Sequence, residues 1–404
     1  MQKAHQPNAM ARRQFLSLVA GGLGAAVASG GLSANPPMTA GTRKSGWGLN
    51  PSADSLRRAT GLLNSNTAVD FHTHLGLWQT MGLTAAEAPM GRLSRQKLES
   101  NLREYLAAGV NCVYMDCISD ILRTRIGVPG NKDRDFIGDE AWQDYLRQYE
   151  LMQELLGVMP LEIAESNRDV ERIAKSGKLA VIFSSEGAHM IEGQVARLEL
   201  MQAHGLRRLQ PLHYLASELG DLQTDPPRFN GLSALGREAV SLASELGILL
   251  DMAHATEAVV EQTAALTGRP LALSHTMVAY NSERFGDYRN SRARWVTPAH
   301  ARLIADTGGV LGTFPIPAPW GVDSAAAFVE ALQVMVDTVG IDHVAWSTDL
   351  MDIGRPKFLQ DYRDFPGLCA MLLDAGFSDD DLLKLVGGNA LRVQESASLP
   401  RPVA

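Results

Sequence analysis

The chain has 404 residues, 45% of them hydrophobic and 20% charged, with a formal net charge of −8 at pH 7. Such a composition suits a globular chain with a large core and argues against a disordered or fibrous one. With an acidic balance and no basic block, nucleic acid is not an expected partner.

In chain order, Ala11-Arg12-Arg13-Gln14-Phe15-Leu16 comes first, followed by a mildly apolar, Gly/Ala-rich stretch to about Ala28. The run resembles a twin-arginine export signal, with Ala26-Val27-Ala28 or Leu32-Ser33-Ala34 as cleavage site. The plain alternative is a disordered tail with a chance arginine pair. The apolar stretch is too short and glycine-rich for a membrane span, and no cysteine follows it to carry a lipid. Residues 1–34 are therefore expected to be a signal peptide, and the mature form to be periplasmic or secreted without a stable membrane span. The export machinery is then a partner. Residues 35–60 are predicted to be a linker and residues 61–404 one domain.

Beyond the linker, strand-like and helix-like segments alternate. Strands are expected at 68–74, 110–117, 179–187, 206–214, 248–255, 271–276, 309–316 and 344–351. Helical patterns fall between them, among them Arg95 to Ala108, Asp139 to Leu156, Arg237 to Leu246 and Ser324 to Val339. Near-continuous apolar strands separated by helices predict a parallel α/β architecture, and eight of them predict a (β/α)8 TIM barrel. The connections 75–94, 118–139 and 276–296 are long and leave C-terminal strand ends, so they are expected to overhang an active site. Cys112, Cys117 and Cys369 are an odd number and form no complete disulfide framework. Cys112 and Cys117, on the second strand, are expected to be buried, inert thiols.

Polar residues collect at the ends of the predicted strands. Val69-Asp70-Phe71-His72-Thr73-His74 places two imidazoles at i and i+2, on one face of a strand. Glu186, His254, His275 and Asp349 end four further runs. One strand-end histidine alone is more often structural. Together, imidazoles and carboxylates at one barrel mouth are what a hydrolytic metal site requires. His5, His204, His300 and His343 lie outside these ends and are expected to be structural or exposed. His189 is expected to support the site from behind.

These stretches, with Ser185-Glu186-Gly187-Ala188-His189, Gly231-Leu232-Ser233-Ala234-Leu235-Gly236-Arg237-Glu238, Leu249-Leu250-Asp251-Met252-Ala253-His254, Ser274-His275-Thr276 and Gly387-Gly388-Asn389-Ala390-Leu391-Arg392-Val393, resemble the membrane (renal) dipeptidase family of binuclear zinc peptidases. The resemblance implies two divalent metal ions, zinc by expectation. His72 and His74 would hold one, His254 and His275 the other, and Glu186 would bridge both. A metal-bridging hydroxide would attack a small dipeptide-like substrate, with Asp349 as acid/base and His213 as donor to the oxyanion. Arg294, or Arg292 beside it, would bind the substrate carboxylate. The family's usual His-x-Asp on the first strand is His-x-His here, which removes one negative charge beside the first metal. Two alternatives follow: a related hydrolase of another amide, lactone or ester, and a catalytically silent binding protein of the same fold. A homodimer is left open.

Overall fold

The computed structural model describes residues 48–75, 95–121, 123, 135–279, 293–315, 322, 324–351, 357–359 and 362–399. The export signal, the first half of the expected linker, Arg292 and much of the three long connections lie outside the described residues.

Helix α1 (Ala53–Ser65) begins at a Ser52 cap whose side chain accepts from Ser55 N. Ala59 and Leu63 of this helix are buried in the core. Residues 53–60 of the expected linker thus lie in a helix whose Ser55, Ala59 and Thr60 are buried.

The strands β1 (Ala68–His74), β2 (Val110–Ile118), β4 (Leu179–Glu186), β5 (Leu206–Gln210) and β6 (Leu249–Leu250) form one parallel sheet. A second sheet holds β7 (Ala272–Leu273), β8 (Val310–Gly312) and β9 (Val344–Ala345). Two seams join them. Met252 N donates to Ala272 O over 2.6 Å, and Phe71 N donates to Trp346 O over 3.1 Å. Eight strands thereby curl into the expected (β/α)8 barrel. All eight residues of β4 are buried, as expected for a strand covered by helices on the outside. A three-residue strand, β3 (Leu161–Ile163), pairs with the start of β4 and was not expected. The strands expected at 248–255 and 271–276 each shrink to two paired residues. Their apolar runs continue beyond the ladder into coil, where they carry the site.

Between β5 and β6 lies helix α6 (Ala234–Glu245), capped by Ser233 through Gly236 N. After β7 comes α8 (Pro298–Asp306), with Thr297 as cap and proline in its first turn. Cys112, Cys117 and Cys369 are free and buried, and burial pushes the Cys117 thiol up to about 12. His343 bonds Gly309 O through Nδ1, and His204 stacks on Tyr149 with centroids 4.2 Å apart. Among the described residues no helix is long and apolar enough to cross a membrane.

Candidate metal centre

Every described candidate arrives at the same mouth. His72 and His74 end β1 and Glu186 ends β4, while His213, His254 and His275 lie two to four residues beyond β5, β6 and β7. Asp349 lies between β9 and a short strand β10 (Leu350–Met351) that pairs with β1. Glu186 is the hub. Its Oε1 lies 3.7 Å from His72 Nε2, 3.4 Å from His213 Nε2, 3.3 Å from His254 Nε2 and 3.6 Å from His275 Nε2. Its Oε2 lies 3.4 Å from His74 Nε2. Asp349 Oδ1 reaches His74 Nε2 at 2.9 Å and His72 Nε2 at 3.4 Å.

The expected pairing of ligands is drawn differently by the nearest atoms. His72, Glu186, His275 and Asp349 offer atoms within 4.8 Å of one another, and so do Glu186, His213 and His254. His275 thus stands between the two expected groups.

This donor set fits divalent cations. His254 Nε2 and His275 Nε2 lie 3.2 Å apart, close to the roughly 3.3 Å between two nitrogens held about 2.0–2.1 Å from one tetrahedral cation. Burial first, then the charges of Arg294 and His72 among others, holds both rings well below the usual histidine range. Neutral rings leave lone pairs for a cation. His72 Nε2 is buried without a hydrogen-bond partner. Burial opposes charge on His72 as well, but Asp116, Asp349 and Glu186 outweigh it and raise its pKa well above the usual value. Burial would also raise Asp349, yet the two β1 histidines hold it well below the usual carboxylate range. A cluster that draws protons onto one imidazole and keeps two others bare is suited to trade those protons for metal.

Backbone strain marks the same place. His254 has φ 67° and Asp349 φ 50°, in the left-handed region that non-glycine residues rarely enter. Both are tied down: Gln223 N donates to His254 O over 2.8 Å, and Asp349 N to His72 O over 2.9 Å. Gly187, next to the hub, has φ 79°, and a Cβ there would meet Ser119 Oγ at 2.1 Å.

Behind the mouth stand residues the sequence reading did not single out. Arg208 is wholly buried in the barrel. It donates to Phe71 O and, over 2.6 Å, to Asp116 Oδ2, and its Nε lies 3.4 Å from Asp251 Oδ2. Asp120, also wholly buried, takes His213 Nδ1 at 2.6 Å, Tyr214 N at 3.0 Å and Leu215 N at 2.7 Å. Burial would raise Asp120, but His213 outweighs it and brings it to about 2. Sequence held a signal for both: a carboxylate inside or just after an apolar strand needs a buried partner. His189 Nδ1 lies 2.9 Å from Ser119 Oγ, the atom that a Cβ on Gly187 would meet.

Arg294 is 3% exposed and donates to Gln223 Oε1 and, over 3.4 Å, to His275 O. Its Nε has no hydrogen-bond partner, and among the described residues no carboxylate forms an ion pair with it. Burial first holds its pKa below the usual arginine value.

Five histidines and two carboxylates gathered at the mouth of a (β/α)8 barrel are the kind of site that metal-dependent hydrolases use. Comparison with known proteins gives the family. Residues 56–401 match the membrane dipeptidase family, peptidase family M19, and the chain belongs to it. It is 26% identical over 265 residues to the dipeptidase aclJ of Aspergillus oryzae, a match covering 63% of this chain and 61% of that relative. Among solved structures, the probable dipeptidase PvdM of Pseudomonas aeruginosa superposes with TM-score 0.69 at 21% identity, covering 85% of this chain and 98% of that one. A metallopeptidase of Rhodobacter sphaeroides, solved with a phosphinate mimic of the dipeptide L-Ala-D-Ala, gives 0.65 at 18% identity, covering 82% and 99%. At these identities the structures speak for the fold.

Proposed function

We propose that the protein is a dipeptidase loaded with two divalent cations, zinc by its nitrogen and oxygen donors, and exported by the twin-arginine route. One observation carries the substrate class: Arg294 is a buried guanidinium beside the metal centre with no carboxylate ion-paired to it among the described residues. A buried cation is costly unless paired, and a free substrate carboxylate would pair it. The Rhodobacter neighbour, holding a dipeptide mimic, and the fungal relative named a dipeptidase support the same reading.

His72, His74, Glu186, His254 and His275 would hold the cations, with Glu186 presenting one oxygen to His74 and the other to the remaining histidines. Bound there, the cations would supply a water of lowered pKa and polarise the scissile carbonyl. Arg294 grips the terminal carboxylate and so sets the peptide bond over the mouth. His213, aimed by Asp120 at its Nδ1, donates from Nε2 to the carbonyl oxygen as negative charge develops there. Asp349 takes the proton released by the attacking water and returns it to the leaving amine.

The test compares zinc-loaded protein on free dipeptides and on their C-terminal carboxamides. Free dipeptides should be hydrolysed and the carboxamides should react on the order of 10²-fold more slowly, because the buried guanidinium then goes unpaired. Arg294→Met should abolish that discrimination. Equal rates on both, or hydrolysis confined to lactones or esters, would replace the dipeptidase reading.

A further inference from the structure

His72 Nδ1 meets two neighbours that ask opposite things of it. Arg208 Nη2, a donor, lies 2.9 Å away, and Asp116 Oδ2, an acceptor, lies 3.1 Å away. Ser274 Oγ, which can play either part, lies at 3.3 Å. Arg208 Nη2 also donates to Asp116 Oδ2 over 2.6 Å, so the three atoms form a triangle. His72, Asp116 and Arg208 all lie in the barrel interior, at most 3% exposed.

A neutral imidazole carries its proton on one nitrogen only. With the proton on Nδ1, the ring donates to Asp116 and turns a bare Nε2 into the mouth. With the proton on Nε2, Nδ1 accepts from Arg208, and an N–H points between Glu186 Oε1 and Asp349 Oδ1, at 3.7 and 3.4 Å. That hydrogen would occupy the place a cation needs. We propose that Asp116 is a positioning residue of the first metal position, holding His72 in the Nδ1–H tautomer, and that Arg208 serves it by locking Asp116 in place. The inference rests on the reading above that His72 binds a cation through Nε2.

The geometry favours Asp116 over Arg208 as the partner of the ring. One carboxylate oxygen faces both Arg208 and His72, whereas Arg208 has a further acceptor in Phe71 O and an ion-pair contact with Asp251. A carboxylate behind the ring also makes Nε2 a better donor to a cation. Asp116 thus returns, one step back, the negative charge that His74 leaves out of the first position.

Asp116→Asn tests this with shape almost unchanged. Arg208 keeps the amide oxygen in the place of Oδ2, so the ring loses the carboxylate charge behind it and a neutral oxygen holds Nδ1–H less firmly against the competing donor Arg208. Zinc titrated against a competing chelator should then bind one of the two positions 10- to 100-fold more weakly, the usual effect of losing such a partner. The other position should be unchanged. Ring 1H–15N correlations of zinc-loaded wild type, assigned with His72→Gln, should show Nδ1–H on His72, a readout that needs no folded Asp116 variant. Unchanged zinc affinity in Asp116→Asn, equal weakening at both positions with a lowered Tm, or an Nε2–H on His72 in the zinc-loaded wild type would each overturn the role of Asp116. If instead His72→Gln takes up as much zinc as wild type, His72 is no ligand, and the reading beneath the inference falls with it.

Discussion

Asp349 shows how much one residue's surroundings decide. Its left-handed φ of 50° costs on the order of 1–3 kcal/mol, offset by its backbone bond to His72 O and its contacts with both β1 histidines. Replacing it by asparagine keeps the shape but removes a proton acceptor. Asp349→Asn should lower kcat about 10²- to 10⁴-fold, the range for a positioned acid–base group, while metal content stays at the wild-type level. Loss of metal with activity would make Asp349 a ligand first, a role its 2.9 Å approach to His74 Nε2 also permits. His254→Ala should lose metal and activity together, as measured by elemental analysis beside turnover.

Among the secondary-structure elements, the strand ends set the precision of the site and the helix caps set its support. Gly187 follows β4 at φ 79° with Ser119 Oγ where a Cβ would go. Gly187→Ala should therefore destabilise by about 1–3 kcal/mol through strain alone, read in urea melts, and displace Glu186 so that metal affinity falls as well. Far from the mouth, Ser52 caps α1 and reaches Asp374 of helix α10 (Phe365–Asp374) through its N at 2.7 Å and its Oγ at 2.8 Å. Ser52→Ala should cost about 1 kcal/mol, the worth of a lost cap, and leave metal content untouched.

The same elements show what could be read from sequence. The strand-end polar residues were legible because burial is written as apolar runs and ligands interrupt them at their ends. β3 was not, because three residues carry no period. β6 and β7 were drawn too long because apolar coil beyond the ladder looks like strand. Arg208 sat in view beside Arg207, and strand alternation sends them to opposite faces: Arg207 outward to Glu165, Arg208 inward to Asp116. That pairing is long-range, which a single sequence does not encode locally.

For the whole molecule, charge burial sets the response to pH. His300 of α8 is 4% exposed, and burial first, then Arg294, lowers its pKa to about 4 from 6.5. Between those values the unfolded chain binds a proton that the folded one refuses. Stability is therefore intact above about 6.5 and falls with acidification towards 4, by roughly 3 kcal/mol in all. In metal-free protein, denaturation at pH 7 and pH 5 should show this loss on top of that from His254 and His275, whose pKa values are also lowered, and His300→Gln should remove only the share of His300. Export is a second property of the whole chain: Arg12 and Arg13 both changed to lysine should leave the precursor in the cytoplasm, and an undiminished periplasmic yield would rule out the twin-arginine route. The most direct test of the central claim, that the cluster around Glu186 is a metal-loaded dipeptidase centre, is to titrate zinc into chelator-treated protein while following hydrolysis of L,L- and L,D-dipeptides. Activity should be absent without metal and rise with bound zinc to a plateau at two equivalents, in step with elemental analysis. Full dipeptide turnover in metal-free protein, or stoichiometric zinc binding with no turnover of any dipeptide, would contradict it.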